Sequence, residues 1–545
     1  MRTVIIGGVA GGMSAATRLR RLAESMDIVV VERGPYVSFA NCGLPYYMGG
    51  VITDRDALLV QTPASLRTRF NLDVRVNTEA TAIDRANQSV RLVDHETGRE
   101  YTERYDHLVL ATGAEPRALG LAGDIPIHGL HTIADADALV TRLGCPAAGA
   151  RAVVIGAGFI GLEVVENLVH RGVEVTVVEY ASHVLPPLDA EMAYPVQQRL
   201  AKHGVTVRTN ASVASIDGGT VVLRDGTTLT ADFIVEAAGV RPRTELAAAA
   251  GLDLDARGGI LVDEVQRTSD PRIFAVGDAA SKFGLVDDGP ALIPLAGLAN
   301  RHGRTAADAI AGQPAPARPA LGTGIIGVLG LTVAAVGWSE ERLRAAGRAH
   351  RAIHTHPLNH AGYYPGAESM ALKLLVDPDT DRILGAQAVG GAGVDKRIDV
   401  IATAMTAGLR ASDLADLELA YAPPYGSAKD AVNMLGYIAR NIAEGSAATT
   451  QWHELADAVA AGAFLVDVRS PAEFAAGAIP GAVNLPVDEL RARLGELPSD
   501  RTIIVHCQVG VRAHTAARIV AASGRAVSNL DGGYLTWRAG TAASS

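Results

Sequence analysis

One unit occurs twice in this chain of 545 residues: an apolar strand, a glycine turn, a helix, and a second strand that ends on an acid. The first copy runs from Thr3 through Gly7 and Gly12 to the apolar run 28–31 and Glu32. The second runs from Ala152 through Gly156, Gly158 and Gly161 to the run 175–178 and Glu179. Strand, turn and acid fall at matching offsets, which describes two βαβ units and hence parallel sheets in an α/β fold. Glycines so placed permit a tight turn, close approach of the backbone to a pyrophosphate and close packing of helix on sheet. The helix N-terminus then faces the phosphates.

The second copy carries the complete G-x-G-x-x-G pattern. Glu179 stands where it would accept a ribose 2′-hydroxyl and repel a 2′-phosphate, which favours NADH; neighbouring basic residues would still admit NADPH. In the first copy Val9 replaces the middle glycine. That site is completed by Glu32, by Thr112 and Gly113 at the close of a buried strand, and by Asp278 at the end of another. Asp278 is placed to hydrogen-bond a ribitol hydroxyl, so the two sites read as one for FAD and one for NAD.

Ten residues after Glu32 stands Cys42, within the segment Ser38, Phe39, Ala40, Asn41, Cys42, Gly43, Leu44, Pro45, Tyr46. A flavin enzyme that reduces disulfides through its own dithiol needs a second thiol close by; five positions on, the residue is Tyr47. The other cysteines, Cys145 and Cys507, are far off in sequence. A single thiol beside a flavin can cycle between thiolate and mixed disulfide, persulfide or sulfenate. Cys145 has no supporting motif and is expected to be inert.

Three scattered cysteines cannot form a disulfide framework, so a reducing cytoplasm is expected. The net charge of −10 argues against nucleic acid as a partner. The apolar N-terminus is broken by glycines and followed by Arg18, Arg20 and Arg21, which reads as strand, turn and helix, not as a signal peptide. The apolar run 325–338 is too short to span a bilayer, so no membrane partner is expected. No metal site is expected.

The chain resembles the pyridine nucleotide–disulfide oxidoreductases over residues 1–440, and within them the coenzyme A–disulfide reductases. The resemblance is carried by the glycine turn 7–12, the Cys42 segment, the run from His360 to Gly366 with Tyr363 and Tyr364, and the run from Tyr421 to Asp430 with Tyr425. It implies a homodimer in which the C-terminal domain completes the partner's active site, so that Tyr425 and one of Tyr363 and Tyr364 reach Cys42 of the other subunit. Ser38 and Asn41, with Arg18 and Arg21 one helical turn apart, are the implied contacts for coenzyme A; a solvated basic helix face is the alternative for the two arginines. The related NADH peroxidases and oxidases carry a histidine in the first glycine turn, where this chain has Val9 and Ala10. That departure counts against peroxide as the substrate.

Beyond a small polar stretch at 444–450, residues 451–541 resemble a rhodanese domain. Cys507 follows a buried strand, and Arg512 stands five positions later. Such a loop aims backbone N–H groups at sulfur. Related phosphatases hold five residues between cysteine and arginine; the four here favour a smaller sulfane-sulfur acceptor. Cys507 is assigned as a persulfide carrier, with Arg512 supporting the loop or an anion.

The expected organisation is an FAD-binding domain at 1–113 and 245–320 and an NAD-binding domain at 114–244, both Rossmann-like. An α+β dimerisation domain at 321–443, a linker at 444–450 and an α/β rhodanese domain at 451–541 follow. The expected activity is NADH-dependent reduction of coenzyme A persulfide or polysulfide, and of coenzyme A disulfide, with sulfur similar to that handled by persulfide reductases. Coenzyme A disulfide reduction for thiol homeostasis, NADH oxidation and redox sensing are the alternatives.

Overall fold

The computed structural model describes residues 1–144 and 149–544; Cys145 lies outside the described residues. Met1–Val178 with Ser212–Gly322 form one compact unit, and Glu179–Ala211 with Thr323–Ser545 form another.

The first unit contains both expected parallel sheets. In one, the strands Ile273–Ala275, His107–Leu110, Arg2–Ile6, Asp27–Val31 and Asp73–Arg75 lie side by side in that order, all parallel. Alternate residues serve opposite faces, and both faces are covered. Ile5, Ile28, Val30, Val109 and Phe274 meet Leu19 and Ile310 of the helices Ala10–Leu22 and Ala296–Ile310. Val4, Val29, Val31, Leu108 and Leu110 meet Val90 and Leu92 from a three-stranded antiparallel layer, and Tyr105 just after its last strand. The two helices approach so closely that a Cβ on Gly303 would lie 2.2 Å from the Gly11 carbonyl oxygen. The second parallel sheet pairs Glu174–Val178, Arg151–Ile155, Phe233–Glu236 and Ile127–His128, with the helix Phe159–His170 after its glycine turn.

The second unit holds an antiparallel sheet and a parallel one. The first is ordered Gly324–Val328, Leu331–Gly337, Ile383–Gly390, Ala371–Val376, Arg351–Thr355. The parallel sheet is ordered Thr449–Thr450, Val527–Leu530, Ile503–His506, Phe464–Asp467, Val483–Asn484. One feature differs from the sequence reading. Thr449 and Thr450, expected in the linker, form an edge strand of the parallel sheet. Within the second unit Asp189, Glu191 and Glu340 ring the buried Lys373 ammonium. A buried cation needs such partners, and helix Ala190–Lys202 with the residue before it brings two of the three.

Candidate active site

Gly7 has φ +104, and a Cβ on Gly12 would lie 1.9 Å from the Gly7 carbonyl oxygen. The turn therefore accepts no side chain, and it leads into helix Ala10–Leu22, whose N-terminus has no side-chain cap. Its first N–H groups are thus free of side-chain acceptors, as a phosphate cradle requires. The second turn repeats this: Gly156 has φ +102, a Cβ on Gly161 would lie 2.0 Å from the Gly156 oxygen, and Gly158 caps its helix without a side chain.

The Glu32 carboxylate accepts the Gly8 and Gly34 N–H groups, both at 2.8 Å, which fixes its orientation at the strand end. Thr112 donates its hydroxyl to the Arg243 carbonyl at 2.6 Å, and Gly113 adopts φ +69. Asp278 is half-buried; desolvation pushes its carboxyl up, and nearby Lys282 opposes that. Lys282 itself is buried, pushed down to about 8 by desolvation, and donates to the Gly277 and Ala280 carbonyls at 2.7 and 2.8 Å. The cradle, the oriented acid and the polar strand end fit a dinucleotide. Glu179 is buried and accepts the Ala181 N–H at 2.7 Å.

Cys42 lies in the single 3₁₀ turn Asn41–Gly43, which runs directly into helix Leu44–Met48. The residue is exposed. Its ionisation is pushed up by desolvation first, then by the Glu163 and Asp278 carboxylates. Glu163 was not singled out in the sequence. It stands two positions after Gly161, its carboxyl is pushed up to about 7 chiefly by burial, and Tyr46 hydroxyl reaches it at 3.4 Å. Tyr46 is in turn pushed up to about 12. Tyr47 fills the place of a second thiol and points its hydroxyl at Asp137 (3.4 Å), which also holds Arg55.

Ser38 sits in left-handed backbone, φ +49, and donates its N–H to the Gly8 carbonyl at 2.7 Å, tying the cysteine segment to the glycine turn. Asn41 is exposed. The two arginines part: Arg18 is paired to Asp308 at 2.6 Å, while Arg21 is exposed.

In the second unit Tyr363 and Tyr364 are also distinguished. Tyr363 is 76% exposed and its hydroxyl meets that of Tyr421 at 2.8 Å, whereas Tyr364 packs edge-on against His360. Tyr421 and Tyr425 line a cleft of about 660 Å³ with Lys396, Arg397 and His360.

Cys507 is buried at the end of strand Ile503–His506, and the Gly510 N–H approaches its Sγ at 3.2 Å. Gly510 takes φ +92 to start helix Val511–Ala522. Arg512 forms a two-pronged pair with Glu473 at 2.8 and 2.6 Å, and holds that carboxyl down to about 2. A second arginine, missed in the sequence, anchors the loop: Arg469 stacks on Tyr534, pairs with Asp467 and donates to the Gln508 side chain at 3.0 Å.

Two dinucleotide cradles with an exposed thiol beside the first define a nicotinamide-dependent flavoprotein oxidoreductase. The chain belongs to the pyridine nucleotide-disulphide oxidoreductase family, whose model matches residues 1–300, and FAD and NAD(H) are its cofactors. The dimerisation domain of that family matches residues 325–432, and a rhodanese-like domain matches 451–540. The crystal structure of reduced Bacillus anthracis CoADR-RHD is 45% identical, with a TM-score of 0.96 over 99% of this chain and 98% of that one. A NAD-dependent persulfide reductase from A. fulgidus is 38% identical, with a TM-score of 0.91 over 98% and 100%. The coenzyme A disulfide reductase of Staphylococcus aureus strain JH9 is 35% identical over 440 residues, 81% of this chain and all of that one. Among the described residues no helix is long and apolar enough to cross a membrane.

Proposed function

We propose that the protein is an NADH-dependent reductase of coenzyme A persulfide or polysulfide, also active on coenzyme A disulfide, working through Cys42. The observation that carries this reading is an accessible thiol with Tyr47 where a resolving thiol would stand, in a chain that also holds a buried cysteine in a rhodanese-like loop. Relatives named for persulfide and for coenzyme A disulfide support it from both sides.

Gly7, Gly12, Glu32, Thr112, Gly113 and Asp278 would hold FAD; Gly156, Gly158, Gly161 and Glu179 would hold NADH. When bound, FAD relays two electrons from NADH to the sulfur carried by Cys42. The Cys42 thiolate attacks the sulfane sulfur of coenzyme A persulfide, coenzyme A thiolate leaves, and a Cys42 persulfide forms. Two electrons then break its S–S bond, releasing hydrosulfide and restoring the thiolate. With coenzyme A disulfide the same attack gives a mixed disulfide and one coenzyme A, and reduction frees the second. Tyr425 and Tyr363 are the proton donors to the departing thiolate, supplied by the partner subunit of a homodimer. Tyr363 is preferred to Tyr364 because it is the more exposed of the two and its hydroxyl meets that of Tyr421, whereas Tyr364 packs against His360. Asn41, Ser38, Arg18 and Arg21 would contact coenzyme A, with Arg18 oriented through its Nε by Asp308. Cys507 would carry sulfane sulfur, with Arg512 and Glu473 bracing its loop. The expected setting is the cytoplasm, with small sulfur compounds as partners and no nucleic acid.

Anaerobic NADH oxidation with each acceptor tests the reading. A higher kcat/KM for coenzyme A persulfide, with one sulfide released per NADH, is expected, and Cys42→Ser should lower it at least about 10³-fold. A preference for coenzyme A disulfide without sulfide would assign the protein to thiol homeostasis instead.

A further inference from the structure

We propose that His354 is a positioning residue for sulfur transfer at Cys507, although it stands on the antiparallel sheet and not in the rhodanese-like domain. His354 belongs to edge strand Arg351–Thr355 and is fully buried. Its Nδ1 meets Asp531 Oδ2 at 2.6 Å, its backbone N–H donates to the same oxygen at 2.9 Å, and its Nε2 meets Glu191 Oε1 at 3.0 Å. Both carboxylates are buried and need partners, and the imidazole supplies one to each.

Asp531 opens the turn on which the sulfur loop is hung. Gly532 and Gly533 follow in left-handed backbone, φ +66 and +64. A Cβ on Gly532 would lie 2.8 Å from His354 Cβ; one on Gly533 would lie 2.5 Å from the Cys507 carbonyl oxygen. The Tyr534 N–H donates to the Cys507 carbonyl at 2.8 Å, and the Leu535 N–H to that of Gln508 at 3.1 Å. The turn is therefore wedged between His354 on one side and the cysteine loop on the other. A second contact runs parallel to the first, from His356 Nε2 to the Thr536 hydroxyl at 2.8 Å. On its far side the clamp is rigid, because Glu191 is shared with the buried ammonium of Lys373. Moving the turn moves the two carbonyls that set where the Gly510 N–H and Cys507 Sγ point.

The inference rests on the proposed role of Cys507, and the test separates the two. Full-length protein is assayed with thiosulfate and cyanide. The Cys507 thiolate attacks the outer sulfur of thiosulfate; its S–S bond breaks, sulfite leaves with the electron pair, and a Cys507 persulfide forms. Cyanide then takes the terminal sulfur as thiocyanate and restores the thiolate. His354→Phe should lower kcat about ten-fold with little change in the KM for thiosulfate, since misplacement of reacting atoms costs rate on that scale. Reduction of the bound flavin by NADH should stay within about two-fold of wild type, because displacing the turn perturbs the sulfur loop, not the flavin chemistry. His354→Asn, which keeps an N–H for Asp531, should recover part of the loss. Wild-type transfer by His354→Phe overturns the proposal, as does an equal fall in flavin reduction. If His354→Phe does not fold, His354→Gln, which can reach Glu191 in place of Nε2 but does not replace the Nδ1 contact to Asp531, decides, and a wild-type kcat in it overturns the proposal. Transfer that survives Cys507→Ser would instead remove the assigned role of Cys507.

Discussion

Glu163 places an ionisable carboxyl, titrating at about 7, where its charge opposes ionisation of the Cys42 thiol. Above that pH the carboxylate raises the energy of the thiolate; below it, the neutral acid does not. Glu163→Gln removes the charge and keeps the shape, so the Cys42 thiol should ionise at lower pH. The pH profile of Cys42 alkylation by iodoacetamide should shift to lower pH in the variant, and an unchanged profile would show that the two groups do not communicate. None of this was legible in the sequence. Glu163 stands past the first turn of helix Phe159–His170, where an acid in the sequence reads as an ordinary solvent-facing position. Its tyrosine partner is 117 residues away in the chain. The choice between Tyr363 and Tyr364 was hidden for a similar reason, since adjacent residues differ only in what the fold packs against them.

At the scale of elements, the glycine turns were the most legible features, because a steric requirement leaves a local mark. Gly12 and Gly161 occupy equivalent places, and a Cβ on either would clash with the carbonyl oxygen of its own turn, at 1.9 and 2.0 Å. Each alanine variant should disturb one site alone, at a cost of about 1–3 kcal/mol for forcing a methyl into packed backbone. Gly12→Ala should purify with little bound flavin. Gly161→Ala should keep its flavin absorbance and show a raised KM for NADH. Equal flavin loss in both would contradict the assignment of the two turns to different nucleotides. What the sequence hid was short or distant. A strand of two residues, Thr449–Thr450, carries too little pattern to stand out from a polar linker. The partners of Lys373 were distant too, since Glu191 pairs with it across 182 residues of sequence. Lysine within the apolar strand Ala371–Val376 is the one local sign that buried acids must come from elsewhere.

For the molecule as a whole, that buried network should govern stability on the alkaline side. His354 is pushed up to about 9, burial being outweighed by its hydrogen bonds to Asp531 and Glu191. Lys373 opposes it, His356 lies beside it, and Asp189, Glu340, His350, Arg344 and His453 complete the ring of charged and titratable groups. An imidazole that binds its proton more tightly when folded stabilises the fold fully below its unfolded value near 6.5. The contribution, on the order of 2–3 kcal/mol, declines as pH rises through that value and is gone above about 9. Glu191 acts in the other direction: its carboxyl is held down by Lys373 and His354, so its contribution is present above about 4.5 and lost on acidification. The joint optimum therefore lies between roughly 4.5 and 6.5, before the histidine begins to lose its proton. Thermal unfolding followed from pH 6 to pH 10 should show the wild type losing more stability across that range than His354→Phe, which has no proton to lose. Parallel curves for the two proteins would mean that the imidazole is neutral at pH 6, with its clamp on Asp531 and Glu191 no more than a neutral hydrogen bond.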